Sequence, residues 1–98
     1  MKKLFFIFIF SYVILYANVS LFESELSNAQ KGDKASMFNT GLLYYHGVGV
    51  EKNISEAIKW YQKAADKGSV EAMTNLGHIY LNGIVVAKDE LQALNYYY

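Results

Sequence analysis

Residues 32–68 read GDKASMFNTGLLYYHGVGVEKNISEAIKWYQKAADKG, and from Gly68 the chain begins the same pattern again. Laying Ala29 to Gln62 over Ala65 to Tyr98 needs no gap at an offset of 36 residues, and twelve of the thirty-four pairs are identical. Self-similarity at such a period marks a stacked-repeat architecture, in which each unit covers the apolar face of its neighbour. The kept pairs include Gly32/Gly68, Gly41/Gly77, Gly47/Gly83, Met37/Met73, Asn39/Asn75, Tyr44/Tyr80, Ala57/Ala93 and Tyr61/Tyr97. Turn glycines, small residues and large apolar ones are what helix-on-helix packing needs. No kept pair carries recognisable catalytic chemistry, so the period specifies a shape rather than a reaction.

Within the unit the helix signals are local and explicit. Asp33 can cap a helix running to about His46, where Gly47-Val48-Gly49-Val50 turns the chain. Asn53, with Glu56 at the box position, opens a second helix through Ala57, Ile58, Trp60, Tyr61, Ala64 and Ala65, and Lys67-Gly68 closes it. Ser69 opens a third through Met73, Leu76, Gly77 and Tyr80; Gly83-Ile84-Val85-Val86 repeats the turn, and Asp89 with Gln92 opens a fourth. Ser36, Thr40, Gly41 and Tyr44 fall on one stripe. Gly41 in mid-helix costs roughly 1 kcal/mol relative to alanine, which close approach of another helix would explain. Upstream, residues 20–32 match the second helix of the unit, with Ser20 and Glu23 spaced as a capping box, and read as a half-repeat that starts the stack.

Met1-Lys2-Lys3 followed by the apolar run Leu4 to Tyr16 and then Ala17 has the pattern of a secretory leader, residues 1–17, with cleavage expected after Ala17 and a site near Ser20 second. A membrane-spanning helix wants about 20 apolar residues, and this run breaks at Asn18 and Ser20, which favours a leader over an anchor. The expected location is the periplasm or the outside of the cell, with membrane contact only through an uncleaved leader.

The nine acids and nine bases balance over the whole chain, and without Lys2 and Lys3 the acids are in slight excess. No basic footprint for nucleic acid is present. The absence of cysteine excludes disulfide stapling and a thiol nucleophile. No cofactor, metal or catalytic residue is expected. His46 and His78 are not equivalent in the repeat, since His46 matches Asn82 and His78 matches Leu42, and neither has a carboxylate at ligand spacing. Gly47-Val48-Gly49-Val50 follows a helix and lacks a succeeding Lys-Ser/Thr, so it is a turn and not a phosphate loop. Glu23, Glu25, Glu51 and Glu56 read as solvated faces and caps. The second unit stops opposite Gln62, which reads as a truncated repeat; Tyr96-Tyr97-Tyr98 would then be an exposed end open to self-association.

Ser36, Thr40-Gly41, Tyr44, Gly47-Val48-Gly49-Val50, Ala57, Trp60-Tyr61, Lys63-Ala64-Ala65 and Gly68, repeated as Ala72, Leu76-Gly77, Tyr80, Gly83, Val86, Ala93 and Tyr96-Tyr97, resemble the Sel1-like repeat, a relative of the tetratricopeptide repeat. Ser36 for alanine, Thr40 for leucine and Val85 for glycine depart from its pattern. The resemblance implies an all-α fold, an α-solenoid of antiparallel helix pairs over residues 18–98: half-repeat 20–32, repeat one 33–68 and truncated repeat two 69–98. It implies an adaptor that binds a protein or peptide, with the first helix of each pair lining a concave face. By the tetratricopeptide analogy that face holds Ala35, Phe38, Leu42, Tyr45 and His46, then Glu71, Thr74, His78, Leu81 and Asn82. Positions 38, 42 and 45 also follow helical spacing on a stripe apart from Gly41 and Tyr44.

A cysteine-rich exported branch of the same family has been linked to penicillin binding and β-lactamase activity, which implies the alternative function. This chain lacks that branch's paired cysteines and has no Ser-x-x-Lys, Ser-Asp-Asn or Lys-Thr-Gly.

Overall fold

The computed structural model describes residues 2–83, with side chains from residue 6 onward. It contains four helices in this span: α1 (Lys2–Gln30), α2 (Lys34–His46), α3 (Ile54–Asp66) and α4 (Val70–Leu81). No strand occurs among the described residues. Beyond Gly83, the rest of the expected turn at 83–86, the fourth helix of the repeats and the tyrosine end lie outside them.

The expected caps at Asp33, Asn53 and Ser69 form. Asp33 Oδ1 accepts from the Ser36 N–H at 2.9 Å, Asn53 Oδ1 from the Glu56 N–H at 3.1 Å, and Ser69 Oγ from the Ala72 N–H at 3.1 Å. Each satisfies an amide that the first turn leaves without a partner. The helix ends repeat as well. Gly32 and Gly68 adopt φ of 100° and 94°. The amides that follow them reach back to equivalent carbonyls, Asp33 N–H to Asn28 O at 3.1 Å and Ser69 N–H to Ala64 O at 3.0 Å. A left-handed residue after the helix lets the next amide return in this way, and glycine does so without steric cost.

α3 supplies the middle of the core. Ala57, Ile58, Trp60, Tyr61, Ala64 and Ala65 are all buried, joined by Ala29 from α1, Met37 from α2, and Ala72, Leu76, Ile79 and Tyr80 from α4. The alanines at 57 and 64 leave no exposed area and allow close approach to α3 on two sides. α1 packs on α2 through Phe22, whose ring meets Tyr44 edge-on at 5.1 Å between centroids. The turn after α2 seats on α1, because Gly49 lies against the Asn18 carbonyl and the Phe22 Cβ, leaving no room for a side chain.

Two expectations change. Ser20 does not cap a separate half-repeat helix: α1 runs unbroken from Lys2 to Gln30 and Ser20 is interior. No glycine or proline lies between Tyr16 and Leu21 to interrupt it, and a cap would require extended backbone at Ser20. The periodic tyrosines are also unequal. Tyr80 is buried and its hydroxyl lies 3.2 Å from Gln62 Nε2, while Tyr44 is only half-buried. One period before Gln62 stands Leu26, which has no donor to offer.

From Phe6 to Tyr16 α1 exposes its apolar side chains, and from Phe22 on it joins the repeat. By length and composition the stretch Phe6–Gln30 is long and apolar enough to cross a membrane, a test that a signal sequence near the N-terminus also passes.

Candidate functional site

A cleft of about 320 Å³ opens between α2 and α4. α2 contributes Leu42, Tyr45 and His46, α4 contributes Asn75, His78 and Ile79, and Tyr61 of α3 lies at its base. Leu42 and Tyr45 share a stripe because they lie three residues apart on α2, while Gly41 turns the other way toward α3. The Tyr45 ring stands edge-on to the His46 imidazole, 5.0 Å between centroids.

Tyr61 is 1 % exposed. Burial pushes its phenol up to about 12; a side-chain hydrogen bond with Asn75 works against that rise, and Tyr45 adds slightly to it. The base of the cleft is therefore a neutral hydroxyl, paired with an amide that has further hydrogen-bonding capacity. Walls of leucine, isoleucine and tyrosine around a few polar groups are suited to holding a side chain from a partner. Among the described residues no group of three His, Asp or Glu side chains is placed to hold a metal ion.

Of the residues expected on the concave face, Leu42, Tyr45, His46 and His78 meet in this cleft. Phe38 does not line it. Its ring packs on Tyr61 at 5.7 Å between centroids, and it borders a neighbouring depression with Ala35, Asn39 and Glu71. Thr74 is exposed but turned along its own helix, its hydroxyl donating to Val70 O at 3.0 Å. Asn82 terminates α4, its amide donating to His78 O. Neither borders the cleft.

Asn75, Tyr61 and Ile79 were not among the expected site residues. The sequence carries a signal for the first of them: Asn39/Asn75 is a polar pair kept at the period among glycines and apolar residues. Tyr61 serves two roles, its ring buried in the core and its side chain hydrogen-bonded to Asn75 where both line the cleft. Glu25 departs from the solvated role expected of it, since its Oε2 is shielded from solvent and receives no hydrogen bond among the described residues.

Helix pairs stacked over a shared core, with an open cleft between their first helices, define a helical-repeat scaffold. The Sel1 repeat family matches residues 34–69 and 70–98, and the chain belongs to that family. The fold is similar to that of a Sel1 repeat protein from Oxalobacter formigenes, with a TM-score of 0.75 and 35% identity over 82% of this chain and 33% of that one. It is also similar to c5321, a protective antigen present in uropathogenic Escherichia coli strains and displaying an SLR fold: TM-score 0.76, 26% identity, 82% of this chain and 17% of the other.

Among curated proteins, sel1-like repeat-containing protein L18 of Acanthamoeba polyphaga mimivirus is 47% identical over 38 residues, 39% of this chain and 6% of that protein. DAP3-binding cell death enhancer 1 of Rattus norvegicus is 49% identical over 37 residues, 38% of this chain and 7% of that protein. The matches thus span under a tenth of these curated relatives and a third or less of the solved chains.

Proposed function

We propose that this chain is an exported scaffold whose α2–α4 face captures a segment of a protein partner in the periplasm or outside the cell. The observation that carries the reading is the convergence of Leu42, Tyr45, His46 and His78 above the Tyr61 hydroxyl in one cleft. A capped, close-packed frame holds that cleft in place, so a docking segment loses its own freedom while the receptor loses little. The family is one of protein-interaction repeats, and one relative is named for binding a protein, DAP3; what passes to this chain is the class of partner and not its identity.

Export is supported by the exposed apolar run at 6–16 behind Lys2 and Lys3. In this reading residues 1–17 are the leader and residues 18–98 the working repeat region. Removal of the leader after Ala17 keeps Phe22 and Ala29, the residues of α1 that are buried. The cleft is lined without serine or lysine, so the hydrolase alternative gains no support from it.

Site-directed photocrosslinking tests the reading. A benzophenone side chain at position 45, in the cleft, should crosslink a discrete protein partner, and one at the exposed Lys59 of α3 should not. With that partner purified, Tyr45→Ala should weaken binding about ten-fold while helix content is unchanged. Equal crosslinking from both positions would refute the assignment of the face.

A further inference from the structure

The cleft between α1 and α2, about 240 Å³, is lined by Leu21, Glu25, Asn39, Leu42 and Leu43. Moved along by one period of 36 residues, Glu25, Asn39, Leu42 and Leu43 become Tyr61, Asn75, His78 and Ile79, all four of which line the α2–α4 cleft. The two clefts share the wall formed between a second helix and the first helix that follows it, and Leu42 borders both; the α2–α4 cleft adds Tyr45 and His46 of the preceding first helix, whose counterparts one period back, Ile9 and Phe10, do not line the α1–α2 cleft. The asparagine is identical in the two. The residue at the base is not.

In the α2–α4 cleft that residue is Tyr61, a neutral hydroxyl with Asn75 as hydrogen-bond partner. In the α1–α2 cleft it is Glu25, with Oε2 out of solvent and no donor among the described residues. The carboxylate lines the cleft with an acceptor oxygen that no described donor fills, so it keeps capacity for the N–H groups of a ligand. An incoming cation with N–H donors uses that capacity and pairs the charge. A guanidinium does so best, because its planar fork matches a carboxylate and its flat faces tolerate the leucine walls.

We propose that the α1–α2 cleft receives an arginine side chain of the partner segment held on the α2–α4 face, so that the partner is read at two points one repeat apart. The proposal rests on the scaffold reading above and adds the charge of the ligand. Substituting glutamate for the periodic tyrosine converts one of two like clefts from a neutral to a cation-selective one.

The test uses the full chain in a non-ionic detergent micelle that covers the apolar run of α1, with methyl-detected NMR titration. The probes are two blocked pentapeptides, Ala-Leu-Arg-Leu-Ala and its citrulline counterpart, which has nearly the same shape and no charge. The arginine peptide should shift the methyl signals of Leu21, Leu42 and Leu43 and bind about five-fold tighter than the citrulline peptide. Glu25→Gln, which keeps the size of the side chain, should abolish that preference, as should Glu25→Tyr, which installs the residue of the next unit. Equal affinity for the two peptides, an arginine preference that survives Glu25→Gln, or no binding of either peptide overturns the proposal. Shifts at Ile79 with no charge preference would overturn it while leaving the scaffold reading in place.

Discussion

The Tyr61 ring occupies the space where a side chain at position 41 would begin: a Cβ on Gly41 would lie 2.5 Å from Tyr61 Cε1 and 3.3 Å from Ala57 O. The helix-weakening glycine in α2 is thus the condition for α3 to approach, and the same ring that fills the gap carries the hydroxyl at the base of the cleft.

Gly41→Ala should therefore destabilise the chain despite the better helix propensity of alanine, by about 1–2 kcal/mol, and Gly41→Leu by about 3 kcal/mol or more. Thermal melts followed by circular dichroism at 222 nm check this; each 1 kcal/mol lowers Tm by about 4–8 °C in a domain of this size. A Gly41→Leu variant that melts like the parent would remove the packing role of the glycine.

Ser69 is the buried cap and Asn53 a solvent-exposed one, at 3 % exposure for the serine. Ser69→Ala should cost about 1–2 kcal/mol and Asn53→Ala about half that, since only the first leaves an amide that water reaches with difficulty. Urea titrations should show a lower midpoint with an unchanged slope.

Alkali should unfold the protein through its tyrosines. The Tyr61 phenol is raised from 10.0 to about 12 and Tyr44 is raised too, by burial first and by Glu56 second. A group held protonated more tightly in the folded chain contributes stability that is complete below its unfolded value and is lost as pH rises through its folded value. Stability to urea should therefore be level up to about pH 10 and fall between about 10 and 12. Tyr61→Phe should flatten that fall, with tyrosinate absorbance at 295 nm as the companion measurement.

Thr74 and Tyr45 separate exposure from engagement. Thr74 spends its hydroxyl on Val70 O and borders neither the α2–α4 nor the α1–α2 cleft, so Thr74→Ala should change partner affinity by less than about two-fold, against about ten-fold for Tyr45→Ala. Titration calorimetry with the crosslinked partner decides between them.

Deleting residues 1–17 should preserve the repeat fold, whereas deleting residues 1–22 should destabilise it by about 2–4 kcal/mol. The second deletion removes the Phe22 ring from Tyr44 and the Asn18 carbonyl from its seat beneath Gly49. Intact mass of the protein recovered from a bacterial host should begin at Asn18, and an unprocessed chain would contradict the leader assignment.

The period, the caps at Asp33, Asn53 and Ser69, the helix ends at Gly32 and Gly68 and the buried face of α3 were all legible in the amino-acid order. The period is read by laying the chain over itself, and the caps, helix ends and buried face rest on hydrogen bonds and side-chain spacings within one or two helical turns, so nearby letters suffice to determine them. The unbroken course of α1 was legible too, in the absence of a helix breaker between Tyr16 and Leu21. The unequal burial of Tyr44 and Tyr80, the sorting of Phe38, Thr74 and Asn82 away from the cleft, and the shielding of Glu25 Oε2 were decided only in the tertiary structure. Each depends on which distant helix lies across a given stripe, and a repeat pattern is silent on this where the neighbour is an atypical first unit, with Glu25 in place of tyrosine and Leu26 in place of glutamine.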